Sequence, residues 1–132
     1  MKRVRVVAAL ISRGETVLVQ QRPPGKSRAL LWEFPGGKVE QGEADEQALA
    51  RECQEELGVS VQVGERLWSV THEYADLSVE LVLYRAAMAD DARPQPHEAH
   101  QLAWVERPRL PELPFCEADI PLLPILARGG LA

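Results

Sequence analysis

The sequence predicts an α+β fold, a mixed sheet held between helices. Three observations point there. Strand-like segments, one helix, more strands and a second helix follow one another, an order suited to a sheet layered with helices. Residues 3–12 are rich in Val, Ala, Leu and Ile and read as a strand buried on both faces. Residues 44–57 carry apolar side chains at helical spacing.

After the first strand, Arg13-Gly14-Glu15 is a turn signal, and residues 16–22 read as the second arm of a hairpin. Pro23-Pro24-Gly25 breaks that arm and opens a loop to Leu31. Trp32-Glu33-Phe34 reads as a short strand stopped by Pro35-Gly36-Gly37. In the helix at 44–57, Ala48, Leu49, Cys53 and Leu57 form the buried stripe. Glu43 or Asp45 supplies an anion or cap at its start, and Gly58 ends it in the left-handed conformation. Residues 59–63, 67–72, 77–88 and 101–106 are strand-like, with a turn near Ala75-Asp76 and a polar loop at 90–96. Pro108, Pro111 and Pro114 make an irregular connection. Residues 120–128 read as a C-terminal helix, provided Pro124 lies in its first turn.

With 132 residues, 45% apolar and 27% charged, the chain is sized and composed for one globular domain, residues 1–132. No apolar run approaches the roughly 18 residues that span a bilayer. Arg5 interrupts the apolar start, which therefore reads as a strand and not a signal peptide. Cys53 and Cys116 make no disulfide framework, so a reducing cytoplasm is the expected location.

Charge is concentrated. Glu43, Asp45, Glu46, Glu52, Glu55 and Glu56 face only Arg51 within residues 43–58, and this excess equals the whole net charge of −5. Duplex nucleic acid, which needs a positive surface, is not the expected partner. Glu52, Glu55 and Glu56 stand at i, i+3 and i+4 on one helix face. Like charges repel at that spacing, and the last helical turn already carries negative partial charge. A solvated acidic face would tolerate this; a divalent cation, Mg²⁺ or Mn²⁺, would reverse its sign. Upstream, Gly36-Gly37 lets the backbone approach a ligand and point a carbonyl at a metal, and Lys38 can meet a phosphate.

The stretch GGKVEQGEADEQALARECQEELGV, residues 36–59, resembles the signature of the Nudix hydrolase family. Gly37, Glu43, Arg51, Glu52, Glu55, Glu56, Gly58 and Val59 occupy its specified positions, with Cys53 in an apolar slot. Looser similarity to the MutT-like branch, including 8-oxo-dGTP diphosphatase and CTP pyrophosphohydrolase relatives, runs through VVAALI, QQRP, LWEFPGGKVE, HEAHQLAWV and ADIPLL. The resemblance implies a Nudix fold with a loop-helix-loop catalytic motif. It also implies Mg²⁺-dependent hydrolysis of a nucleoside triphosphate to monophosphate and pyrophosphate, by attack at the β-phosphorus. By position, Glu52, Glu55, Glu56 and the Gly36 carbonyl would ligate metal, and Arg51 and Glu43 would brace the carboxylates. Glu98 matches an extra carboxylate from a separate loop, as ligand or proton acceptor; Glu55 or Glu98 would be the general base.

The resemblance also places Arg22, Glu33, Phe34 and Asp119 in the nucleoside pocket. Phe34 either stacks on a base or belongs to the core beside Trp32. Arg22 either reaches base or phosphate or is a strand-end charge. Asp119 stands where a MutT relative has asparagine; it suits the donors of 8-oxoguanine and of cytosine equally, or it caps a helix. His72, His97 and His100 read as loop or edge residues, and Trp68 and Trp104 as core. Sanitation of oxidised or modified nucleotides is the expected role, by a monomer or homodimer. A pyrimidine-preferring enzyme, a hydrolase of ADP-ribose or dinucleoside polyphosphates, and a damaged-base binding module are the alternatives.

Overall fold

The computed structural model describes residues 2–131. Among these residues eight strands form two sheets, accompanied by two α-helices and two 3₁₀ segments. The first sheet joins β1 (Arg3–Leu10), β5 (Gly36–Lys38), β6 (Gln62–Glu73) and β7 (Ser78–Ala87) in the order β5-β1-β7-β6. The β1–β7 pair is parallel and the other pairs are antiparallel, so the sheet is mixed as expected. The second sheet is centred on β3 (Thr16–Gln21). One edge of β3 pairs with β8 (Gln101–Glu106) along its whole length, while β2 (Ser12–Arg13) and β4 (Trp32–Glu33) pair with its two ends.

Both faces of β1 are covered. Val7, Ala9 and Ile11 pack with Ala48, Leu49, Cys53 and Leu57 of α1 (Asp45–Leu57). Ala8 and Leu10 point the other way, to Leu83, Leu122 and Leu126. This period-two division is what a strand produces when it lies between two layers. Among the described residues, no helix is long and apolar enough to cross a membrane.

Four local expectations change. Residues 59–63 and 67–72 are not two strands: β6 runs through Gln62–Glu73, with register shifts around Arg66 that absorb the irregular stretch as bulges. Gly36-Gly37 does not merely stop a strand but itself forms β5 against β1. Gly36 has φ 154°, and a Cβ there would collide with the Val7 carbonyl oxygen, so only glycine fits this close approach. Asp45 supplies the expected anion in the first turn of α1, but neither it nor Glu43 is the cap; Ala44 is the N-cap residue, and its N–H donates to the Gln47 side chain at 2.9 Å. The expected helix at 120–128 is a 3₁₀ segment, Glu117–Leu122, followed by the short α2, Leu123–Ala127. Pro121 and Pro124 lack the N–H groups a continuous helix would use, and Pro124 sits in the first turn of α2, where the loss is harmless. A second 3₁₀ segment, Arg107–Glu112, occupies the proline-rich connection.

Candidate active site

Helix α1 carries the acidic side chains because its apolar stripe fixes its rotation. Cys53 and Leu57 face β1, fully buried, which turns Glu52 and Glu56 toward β5 and leaves Glu55 half exposed. At the C-terminal end Gly58 adopts φ 70° and returns its N–H to Gln54 O at 3.0 Å, the expected left-handed stop.

The three glutamates are held in different ways. Glu56 is buried, and its Oε1 accepts the Gly36 N–H at 3.0 Å and the Gln20 amide at 3.3 Å. Burial pushes its pKa up to about 8, with the charges of Glu33 and Glu52 adding to the rise and the Gly36 N–H opposing it. Glu52 is also raised by burial, although Arg51 donates to it at 2.8 Å. Arg51 reaches Glu55 at 3.0 Å and the Lys38 carbonyl at 3.1 Å. Its fork grips Glu43 through Nε at 2.7 Å and Nη2 at 2.9 Å, which holds Glu43 down at about 2 with help from the Glu40 N–H. Arg51 thus donates to Glu43, Glu52 and Glu55 together. Among the described residues no three carboxylates converge in a ligand-ready set; Glu52 and Glu55 turn to Arg51 while Glu56 turns to Gly36.

A cavity of about 300 Å³ opens beside this end of β5. Its lining includes Gly36, Lys38, Glu52 and Glu56 together with Arg22, Glu33, Phe34 and Asp119. Arg22 donates to Glu33 at 3.2 Å and to Ser27 O at 2.8 Å. Burial raises Glu33, with Arg22 pulling against it. Asp119 is only 4% exposed, and among the described residues its carboxyl has no hydrogen-bond partner. Complete burial lifts its pKa well above the ordinary value, reinforced by Glu33. Phe34 is buried with its ring 5.4 Å from that of Phe115, so it belongs to the core while bordering the cavity.

Glu98 lies on the loop after β7. Two amides of that loop donate to the last carbonyls of α1, Gln95 to Leu57 O at 2.9 Å and His97 to Glu56 O at 3.0 Å. Glu98 thereby borders a second, polar cleft with Glu56, Glu33 and Arg22. Glu43, Arg51 and Glu55 lie outside both hollows.

The NUDIX domain family model matches residues 6–124. The chain belongs to the Nudix family. Across the Nudix domain it is 41% identical to the CTP pyrophosphohydrolase of Escherichia coli (strain K12) over 123 residues, covering 93% of this chain and 90% of that protein. It is 39% identical over 131 residues to a putative 8-oxo-dGTP diphosphatase 2 of Mycobacterium tuberculosis (strain H37Rv), covering 93% and 87%. The solution structure of the E. coli ORF135 protein superposes with a TM-score of 0.80 at 41% identity, covering 94% of this chain and 88% of that one. The MutT protein of Methanosarcina mazei shares the Nudix fold with a TM-score of 0.86 at 22% identity, covering 97% and 95%.

Three residues at the Nudix cavities escaped sequence reasoning. Gln20 is buried on β3 and donates to both Glu33 and Glu56 at 3.3 Å, leaving its own carbonyl oxygen without a partner. A polar residue closing the apolar run Val17–Val19 was the available signal. Arg28 and Tyr74 meet at the outer wall, with the guanidinium 3.8 Å from the ring centroid. Loops 46 residues apart carried no such signal.

Proposed function

We propose that this chain is a metal-dependent nucleoside triphosphate pyrophosphohydrolase that removes oxidised or modified nucleotides, with 8-oxo-dGTP-like and cytosine nucleotides as the two base classes. The observation that carries this reading is the cavity itself. It joins a buried carboxyl without a protein partner, Asp119, to a rim of hard-oxygen donors on α1 and β5. Asp119 suits a base, and the donors of the rim suit the metal that would grip a polyphosphate.

The donor chemistry suits a divalent cation, which would have to draw Glu52 and Glu55 from Arg51. The donor set is carboxylate and backbone carbonyl oxygen throughout, the preference of Mg²⁺ and Mn²⁺. A Cβ on Gly37 would collide with the Glu52 carboxylate, so glycine leaves that space to the carboxylate. Glu56 is a carboxylate that burial drives toward the neutral acid, and a cation would return its charge. Glu52, Glu55, Glu56 and the Gly36 carbonyl would hold the ion, with Glu98 added from its loop. Bound there, Mg²⁺ would neutralise phosphate charge and lower the pKa of a bound water.

The protein's own groups do the rest. Lys38 offers a point charge to the phosphates at the rim. Arg51, fixed by Glu43, sets the directions of Glu52 and Glu55. Glu55 or Glu98 takes the proton of the water that attacks the β-phosphorus, and monophosphate and pyrophosphate leave. In its neutral form, which burial favours, Asp119 would both donate and accept a hydrogen bond, as an asparagine would. It then suits the mixed donor and acceptor edge of 8-oxoguanine or of cytosine. The similarity to a CTP pyrophosphohydrolase over 93% of the chain supports the cytosine class, and similarity to 8-oxo-dGTP diphosphatases supports the other.

Pyrophosphate release with Mg²⁺ tests the proposal across 8-oxo-dGTP, CTP, 5-methyl-dCTP, ADP-ribose and a dinucleoside tetraphosphate. A triphosphate of one of the two base classes should have the highest kcat/KM. Turnover confined to ADP-ribose or the tetraphosphate, or base binding without any turnover, would overturn it.

A further inference from the structure

Two separated loops meet in the wall of the cavity, and Tyr74 lies at their junction. Its N–H donates to Leu77 O at 2.8 Å, closing the turn between β6 and β7. The Arg28 guanidinium stacks 3.8 Å from its ring centroid, and Arg28 Nη2 donates to Asp76 on the same turn at 2.9 Å. Arg28 and Leu30 have φ values of 56° and 63°, uncommon for residues with a side chain, so this loop holds its shape through such contacts.

The Tyr74 hydroxyl makes the third connection. It accepts the Ala118 N–H at 2.9 Å. Ala118 lies in the first turn of its 3₁₀ segment, where amides have no partner within the helix. His72, two residues earlier on β6, adds a 3.0 Å contact from Nε2 to Glu117. The end of β6 thus fixes the chain immediately before Asp119 at two points.

This matters because the Asp119 carboxyl has no partner of its own among the described residues. Its position follows from its backbone, and selective hydrogen bonding to a base demands placement to within about half an ångström. We propose that Tyr74 is a positioning residue for base selection, holding Ala118 and therefore Asp119 with its hydroxyl and holding Arg28 in the cavity wall with its ring. The inference rests on the reading that Asp119 contacts the base.

A double-mutant cycle tests it. Tyr74→Phe keeps the ring and removes the hydroxyl. The KM of the panel nucleotide with the highest kcat/KM should rise about tenfold, with kcat changed less than about twofold. In the Asp119→Ala background the same substitution should change KM by less than about twofold, because Tyr74 acts through Asp119. Arg28→Gln should raise KM in the same base-dependent way; if Tyr74→Phe does not fold, this variant takes its place in the cycle. Additive KM effects, an unchanged KM, or an equal fall of kcat for every nucleotide would overturn the proposal. If Asp119→Ala alone leaves base preference unchanged, the base-contact reading itself fails, and the role of Tyr74 falls with it.

Discussion

The Gly36 amide donates to Glu56 Oε1 at 3.0 Å, so the backbone of β5 reads the position of a carboxylate twenty residues further along the chain. This contact seats the most buried glutamate of the acidic helix at the rim of the cavity. Burial there raises the Glu56 pKa, against the pull of the Gly36 amide.

The folded-state pKa of Glu56 is raised from 4.5 to about 8. A raised pKa contributes stability that is present below the unfolded value and is lost as pH rises to the folded one. With chelator present, Tm should fall between pH 4.5 and about 8, and Glu56→Gln should flatten that fall. The same variant should lose on the order of 100-fold or more in kcat, since even outer-shell changes at metal sites cost 10–100-fold. Thermal melts across pH and steady-state assays check both halves. Unchanged turnover would remove Glu56 from the metal site.

Adjacent glycines should fail differently. A Cβ on Gly36 meets the Val7 backbone, which cannot yield, whereas a Cβ on Gly37 meets the carboxylate of Glu52. Gly36→Ala should cost about 1–3 kcal/mol of stability. Gly37→Ala should retain most of its stability and lose about tenfold or more in kcat, because Glu52 must turn away. Denaturant melts and kcat measured on the same preparations separate the two outcomes.

Asp119→Asn should keep the base preference and Asp119→Ala should lose it. The neutral acid, which burial favours, and the amide both donate and accept, while alanine leaves the base edge unpaired. The loss should be about 1–3 kcal/mol in kcat/KM for the preferred nucleotide, on the order of 10–100-fold, with Mg²⁺ dependence unchanged. An equal loss across all nucleotides would exclude a base-reading role.

The start of α1 sets the acid limit. Asp45 accepts Arg5 at 2.6 and 2.8 Å and the Tyr84 hydroxyl at 2.8 Å, and Arg5 pulls its pKa down. Arg51 lowers Glu43 from 4.5 to about 2. A depressed pKa contributes stability above the unfolded value that is lost as pH falls through the folded one. Tm should therefore drop as pH goes from about 4.5 toward 2, and the double variant Asp45→Asn, Glu43→Gln should show a shallower drop. An identical acid limb in the variant would mean these pairs contribute nothing.

Much of this was legible along the chain because it is local. The helical spacing of Ala48, Leu49, Cys53 and Leu57 places Glu52, Glu55 and Glu56 on one side, and Gly58 ends the helix. The apolar run at 6–11 announces two covered faces, and Val7 and Ala8 indeed pack into opposite cores. Where sequence reading erred, proline chemistry and pairing intervened: the last helix is divided at Pro121 and Pro124, and β6 bridges an irregular stretch because β7 offers a continuous ladder.

The linear order of residues by itself determined the acidic helix, its glycine approach and the layered α+β design, since periodicity, turn chemistry and like-charge spacing act within a few residues. Only the tertiary structure decided which glutamate is buried, that Gln20 links Glu33 to Glu56, and that Tyr74 joins Arg28 to the segment carrying Asp119. Burial and long-range hydrogen bonds depend on which distant surfaces the packed sheets exclude from water, and no local pattern encodes that.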